Sequence, residues 1–304
     1  MTPDVLDDES GPTHSTTRWR QALAHPLARI LAASLVIFLS LALSFALTEA
    51  WLPKRMTVAW PNAVAALACA FGYVAYIKWV ERRAVTELGG RGALTEWAGG
   101  AALGVLLGLL TLAPLWGLGV YRFGGFGQGI GQSVGQSVGN SLPLIKQIPE
   151  MLLVSVMEEV LMRGVVFRIA QQAWGTRRAL LLTTVLFVAG HLPGGISAVG
   201  MLVTAAASLA LTAAYQLSGR LWLPMGMHFA WNYLFSAVFS VPVSGHEAKG
   251  WLHGSMSGPD WLSGGAYGIE ASAAALFVWA VAAALMLRRV QAQGKFTPRL
   301  QRSV

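Results

Sequence analysis

The chain has 304 residues, of which 55% are hydrophobic and 12% charged, with a mean hydropathy of +0.54. Soluble domains carry about 25% charged residues, so the composition excludes one and points to a membrane protein. The net charge of +8 does not indicate a nucleic-acid binder, because the basic residues flank apolar segments instead of forming a stripe.

In chain order, residues 1–26 form a polar head with Asp4, Asp7, Asp8 and Glu9, a composition that predicts disorder. The first apolar run after it is long enough to span, and no signal peptide is evident. Spans need roughly 20 apolar residues each. Eight are predicted, at about 27–48, 62–80, 97–121, 144–170, 179–193, 197–217, 221–241 and 266–288. The expected fold is an all-α polytopic transmembrane bundle over 27–288, one domain with no room for a large soluble module. The fifth span is short and breaks at Pro193-Gly194-Gly195. Between the third and fourth spans, glycines recur every fourth position from Gly127 to Gly139. That pattern reads as a flexible loop, or else as a helix face that lets a neighbour approach closely. The loop 243–265 holds Trp251 and Trp261, which suit the membrane interface. A basic tail, 289–304, closes the chain. The single cysteine, Cys69, permits no intrachain disulfide.

Eight spans place both termini on one side. That side holds Arg18, Arg20, Arg29, Lys78, Arg82, Arg83, Arg91, Arg168, Arg177, Arg178, Arg220, Arg288, Arg289, Lys295, Arg299 and Arg302, sixteen basic residues. The other side holds five, Lys54, Arg55, Arg122, Lys146 and Lys249. Basic residues collect on the cytoplasmic side, so the sequence predicts a multi-pass protein of the cell membrane with both termini cytoplasmic.

The fourth span carries Glu158, Glu159 and Arg163. Carboxylates in a bilayer core are costly and mark function by default. Glu159 and Arg163, four apart, share a helix face and are expected to pair. Glu158 points about 100° away and is left for a separate cavity. A bland alternative makes all three one buried ion cluster that locks the bundle. The fifth span ends in Phe187-Val188-Ala189-Gly190-His191, and the seventh carries His228 and Asn232 on one face. A lone histidine in an apolar helix is more often packed than catalytic, but depth links these. Glu158 lies roughly 15 Å along its helix from Arg168, His191 roughly 20 Å from Arg178, and His228 roughly 12 Å from Arg220. Glu158, His191, His228 and Asn232 are therefore expected to converge on one cavity. The same arginines suggest that it opens toward the cytoplasm or the inner leaflet.

A carboxylate and two imidazoles in a wet pocket suit hydrolysis of a peptide bond. Glu158 can take a proton from water, one histidine can position that water, and a histidine with Asn232 can stabilise the oxyanion. Glu158, His191 and His228 are equally an acceptable zinc set with water in the open position. The attacking water is thus metal-bound or metal-free. Other protease chemistries fit worse. His246-Glu247 opens no His-Glu-x-x-His motif. The aspartates Asp4, Asp7, Asp8 and Asp260 lie outside every span, and Ser133 and Ser137 sit in a low-complexity Gly-Gln-Ser repeat.

Glu158-Glu159-x-x-x-Arg163, Phe187-x-x-x-His191 and His228-x-x-x-Asn232 resemble, in order and spacing, the three motifs of the CPBP intramembrane proteases. These are the CAAX-processing and bacteriocin-processing group, also called Abi. The resemblance covers about 145–240. It implies that Glu158 activates the water, His191 assists it, and His228 with Asn232 lines the oxyanion site, with Glu159 and Arg163 in support. It also implies membrane lipid and a protein or peptide substrate, prenylated or not, as partners, with no nucleic acid. Some relatives act as scaffolds or immunity factors, so a non-catalytic partner-binding protein is the alternative. A proton-coupled transporter is third, since buried Glu and His also serve proton relays.

Overall fold

The computed structural model describes residues 25–51, 60–126, 142–248 and 250–297. Most of the predicted polar head, the glycine repeat from Gly127 to Gly139 and the end of the basic tail lie outside the described residues.

Eight helical rods lie where eight spans were expected. They are α1 (Pro26–Trp51), α2 (Trp60–Ala75), α3 (Ala93–Gly117), α4 (Leu142–Glu159), α5 (Thr176–His191), α6 (Ala198–Ser218), α7 (Trp222–Tyr233) and α8 (Ala273–Ala292). Three of them continue into wider π-helical turns, α2 through Tyr76–Glu81, α4 through Val160–Phe167 and α7 through Leu234–Val238. After its π-helical turn α4 resumes as α-helix over Arg168–Trp174. Five rods are long and apolar enough to cross a membrane: Pro26–Trp51, Trp60–Glu81, Ala93–Gly117, Ala198–Ser218 and Ala273–Ala292. The other three, α4, α5 and α7, are the ones that carry the motif residues. They are short, or charged, because they are built around a polar site.

The lipid-facing sides follow from the same composition. Leu31, Leu35, Leu39 and Leu43 of α1 are 59–71% exposed, while Ile30, Ala33, Ile37 and Leu41 of the same helix are buried. A helix that is apolar all round needs only one face against protein when lipid receives the other.

Between α3 and α7 the contact is backbone against backbone. A Cβ on Gly100 would sit 2.1 Å from the Leu223 carbonyl oxygen, one on Gly104 2.3 Å from that of Met227, and one on Gly226 2.1 Å from that of Trp97. Small residues four apart are the usual means of close approach in membranes. Here they fix the helix that bears His228 and Asn232.

At the arginine-rich end, Glu81 pairs with Arg29 at 2.8 Å, Arg83 at 2.8 Å and Arg168 at 2.9 Å. Glu87 pairs with Arg83 at 2.7 Å, and Arg220 pairs with Glu96 at 2.9 Å. This network joins α1, α2, α3, α4 and the turn before α7. At the opposite end, β1 (Tyr121–Phe126) and β2 (Leu252–Met256) form a two-stranded antiparallel sheet with an irregularity at Phe123/Gly125. Loops were expected there. Pairing supplies these segments with backbone hydrogen bonds.

Candidate active site

α4 delivers the two carboxylates side by side, and they take different partners. Glu159 and Arg163 pair at 2.9 Å with both side chains fully buried. The same Glu159 oxygen lies 2.9 Å from His228 Nδ1. Arg163 also donates to the Ser208 carbonyl of α6 at 3.2 Å, and its guanidinium carbon lies 4.8 Å from the centre of the Phe187 ring of α5. One buried cluster thus ties α4 to α5, α6 and α7.

Glu158 faces the other way, as the helical turn requires. Its side chain is 23% exposed, and its Oε2 lies 3.8 Å from His228 Nε2. That is too far for a direct hydrogen bond. Among the described residues Oε2 makes no hydrogen bond. His191 ends α5, where Pro193 and Gly194 turn the chain. Its Nδ1 lies 2.7 Å from the Phe187 carbonyl oxygen. A carbonyl only accepts, so Nδ1 carries the proton and Nε2 is left as an acceptor. The Glu159 carboxylate likewise assigns a proton to His228 Nδ1. Asn232, one turn beyond His228, is buried.

Glu158, His191, His228 and Asn232 all line one cavity of about 1230 Å³, as the sequence predicts. Small-molecule pockets run to roughly 300–1,000 Å³, so this space is large enough for a stretch of polypeptide. Much of its wall is apolar, with Met151, Met157, Leu161, Phe187 and Trp231.

The expected direction of opening is corrected. The cavity extends to Lys146, Pro193, Gly194, Ser244, Glu247 and Tyr267. These lie at the bundle end opposite Arg168, Arg178 and Arg220. The cavity lined by the motif residues reaches Lys146 and Glu247 on the side away from the arginines. The arginine-rich end holds the ion network and the loop that docks Arg220 and Trp222 onto the Gly89 carbonyl.

The possible zinc set, Glu158, His191 and His228, shares the cavity without forming a ligand cluster. Among the described residues no three His, Cys, Asp or Glu side chains come together to hold a metal. Each imidazole has its Nδ1 engaged by a carbonyl or carboxylate, as metal-ligating histidines do when the other ring nitrogen is the ligand, while Glu159 is taken up by Arg163 and His228.

Two features escaped the sequence. The Glu159–His228 bond joins residues 69 apart, and no local spacing announces it. Glu270, ahead of α8, accepts from Trp231 Nε1 at 2.8 Å and from the backbone N–H and Oγ of Ser244 at 2.8 and 2.7 Å. It fixes the loop at the cavity rim to the residue beside Asn232. A lone acid at the start of the last span was the only available signal.

No curated protein and no solved structure matches the chain. Residues 140–234, which hold all six motif residues, match the family model described as type II CAAX prenyl endopeptidase Rce1-like. This match, over about a third of the chain, is consistent with a CPBP intramembrane protease and supports intramembrane endopeptidase activity in general.

Proposed function

We propose that the protein hydrolyses a peptide bond of a membrane-associated protein or peptide with a water activated by Glu158. The observation that carries this reading is the division of labour between adjacent carboxylates. Glu159 is spent on Arg163 and His228, while Glu158 is left facing a large cavity with an unpaired oxygen 3.8 Å from His228 Nε2.

In the reaction, Glu158 takes a proton from the water as its oxygen attacks the carbonyl carbon. His191 Nε2 accepts from the same water and aims it. The oxyanion is met by Asn232 Nδ2 and by His228 Nε2. With Glu159 on one side of its ring and Glu158 on the other, His228 is set to donate from both nitrogens. Glu158 then returns the proton to the departing amine as the C–N bond breaks. Each well-placed oxyanion donor contributes about 3 kcal/mol.

The substrate is a membrane-associated polypeptide, prenylated or not, and the lipid is its solvent. The test compares membrane proteomes of cells bearing the wild type or Glu158→Gln. Accumulation of a precursor, with loss of its product, is expected in the variant. Identical proteomes, with the variant folded and inserted at normal levels, would overturn proteolysis and favour a partner-binding scaffold.

A further inference from the structure

Two independent observations bear on where the substrate comes from. Among the described residues the basic side chains sort twelve to two between the two ends of the bundle, which sets the cytoplasmic face at the Arg168, Arg178 and Arg220 end. The cavity runs from Glu158 and His228 to Pro193, Gly194 and Glu247 at the other end. We infer that the active-site cavity opens to the non-cytoplasmic face, and that the substrate is a membrane-anchored polypeptide cut on that side of the bilayer. The inference rests on the proteolytic reading above and deepens it by naming the substrate's side and anchorage.

Water and substrate reach the site by different walls. Hydrolysis consumes water, and an ionised Glu158 needs it nearby. The exposed polar rim at Lys146, Glu150, His246 and Glu247 admits it from the non-cytoplasmic side. Phe38 of α1 and Leu186 of α5 also line the cavity, and they are 52% and 39% exposed. These are lipid-facing side chains, so the cavity has an apolar side within the membrane. An apolar stretch of a bilayer-anchored chain can meet it there without first crossing water. A soluble peptide has no use for that side. A cytoplasmic C-terminal tail would have to pass the ion pairs of the arginine-rich end.

Single-cysteine labelling tests the side of opening without relying on catalysis. On a Cys69→Ala background, Glu247→Cys reports the rim and Gly190→Cys the cavity wall. Position 190 tolerates the change, because a Cβ there meets nothing within 4 Å. Arg91→Cys reports the opposite face. A membrane-impermeant maleimide is applied to right-side-out and inverted vesicles. Expected is labelling of positions 247 and 190 in right-side-out vesicles, and of position 91 in inverted vesicles only. The reversed pattern overturns the inference, as does a cavity position that labels from neither face while position 247 reacts. Either failure leaves the Glu158→Gln proteome comparison to stand or fall alone. In that comparison, accumulated precursors should be membrane-anchored with cut sites on the non-cytoplasmic side. Cytoplasmic cut sites would overturn the inference while upholding proteolysis.

Discussion

Adjacent glutamates meet different surroundings because a helix turns about 100° per residue. Glu159 is fully buried between Arg163 and His228. Removing one partner of such a pair costs roughly 3–5 kcal/mol, since a bare charge stays behind. Arg163→Ala should therefore lower the melting temperature in detergent well below that of Glu158→Gln, whose partly exposed side chain carries no ion pair with Arg163. Equal melting temperatures would remove the structural role from Arg163. Asn232→Ala addresses chemistry instead. Loss of an oxyanion donor costs about 10²–10³ in kcat, so turnover of an identified substrate should fall by that factor with KM little changed. A rise in KM at unaltered kcat would make Asn232 a binding residue. The pairing of Glu159 with Arg163 was legible, because four-residue spacing on a helix brings side chains together. Its second partner was not, because His228 arrives from another helix.

Helix α7 is positioned by glycine. Gly100 and Gly104 of α3 let the Leu223 and Met227 carbonyls come so near that no Cβ fits. Gly104→Val should push α7 away. Overpacking costs typically 1–3 kcal/mol, and His228 and Asn232 would leave Glu158 behind. The expected result is a modest loss of thermal stability with a disproportionate loss of activity. Full activity would show that α7 repacks without moving its site residues. The four-residue glycine spacing is in the sequence at 100, 104 and 108. It is overshadowed there by the longer run from Gly127 to Gly139, which lies outside the described residues. Spacing alone does not say which small-residue face has a neighbour. Only the facing Gly226 decides it. Five of the helices were plainly legible, since each is long and apolar enough to be seen singly, while α4, α5 and α7 are shorter or carry charge. The small sheet was not, because its strands lie 125 residues apart in loops without alternating hydrophobicity.

Across the bundle, ion pairs collect at one end and the cavity reaches toward the other. Glu81 joins Arg29, Arg83 and Arg168 and so holds α1 and α4 to the end of α2. Glu81→Ala should destabilise the protein by an amount near the lower end of roughly 3–5 kcal/mol, because Arg29 and Arg83 are 27% and 30% exposed and water screens them. The melting temperature in detergent measures this, and an unchanged value would mean that the network is dispensable. Sequence by itself determined the membrane setting, the approximate spans, the sorting of basic residues and the six motif residues. Each of these depends on the solvent that a residue meets along a single helix, and hydropathy and helical period report that directly. Tertiary structure alone decided that Glu159 is shared by Arg163 and His228, that α3 and α7 touch through backbone, and that the cavity opens away from the arginines. These depend on which helices are neighbours. In a membrane, lipid accepts an apolar face as readily as protein does, so apolar patterning does not single out the face that meets another helix.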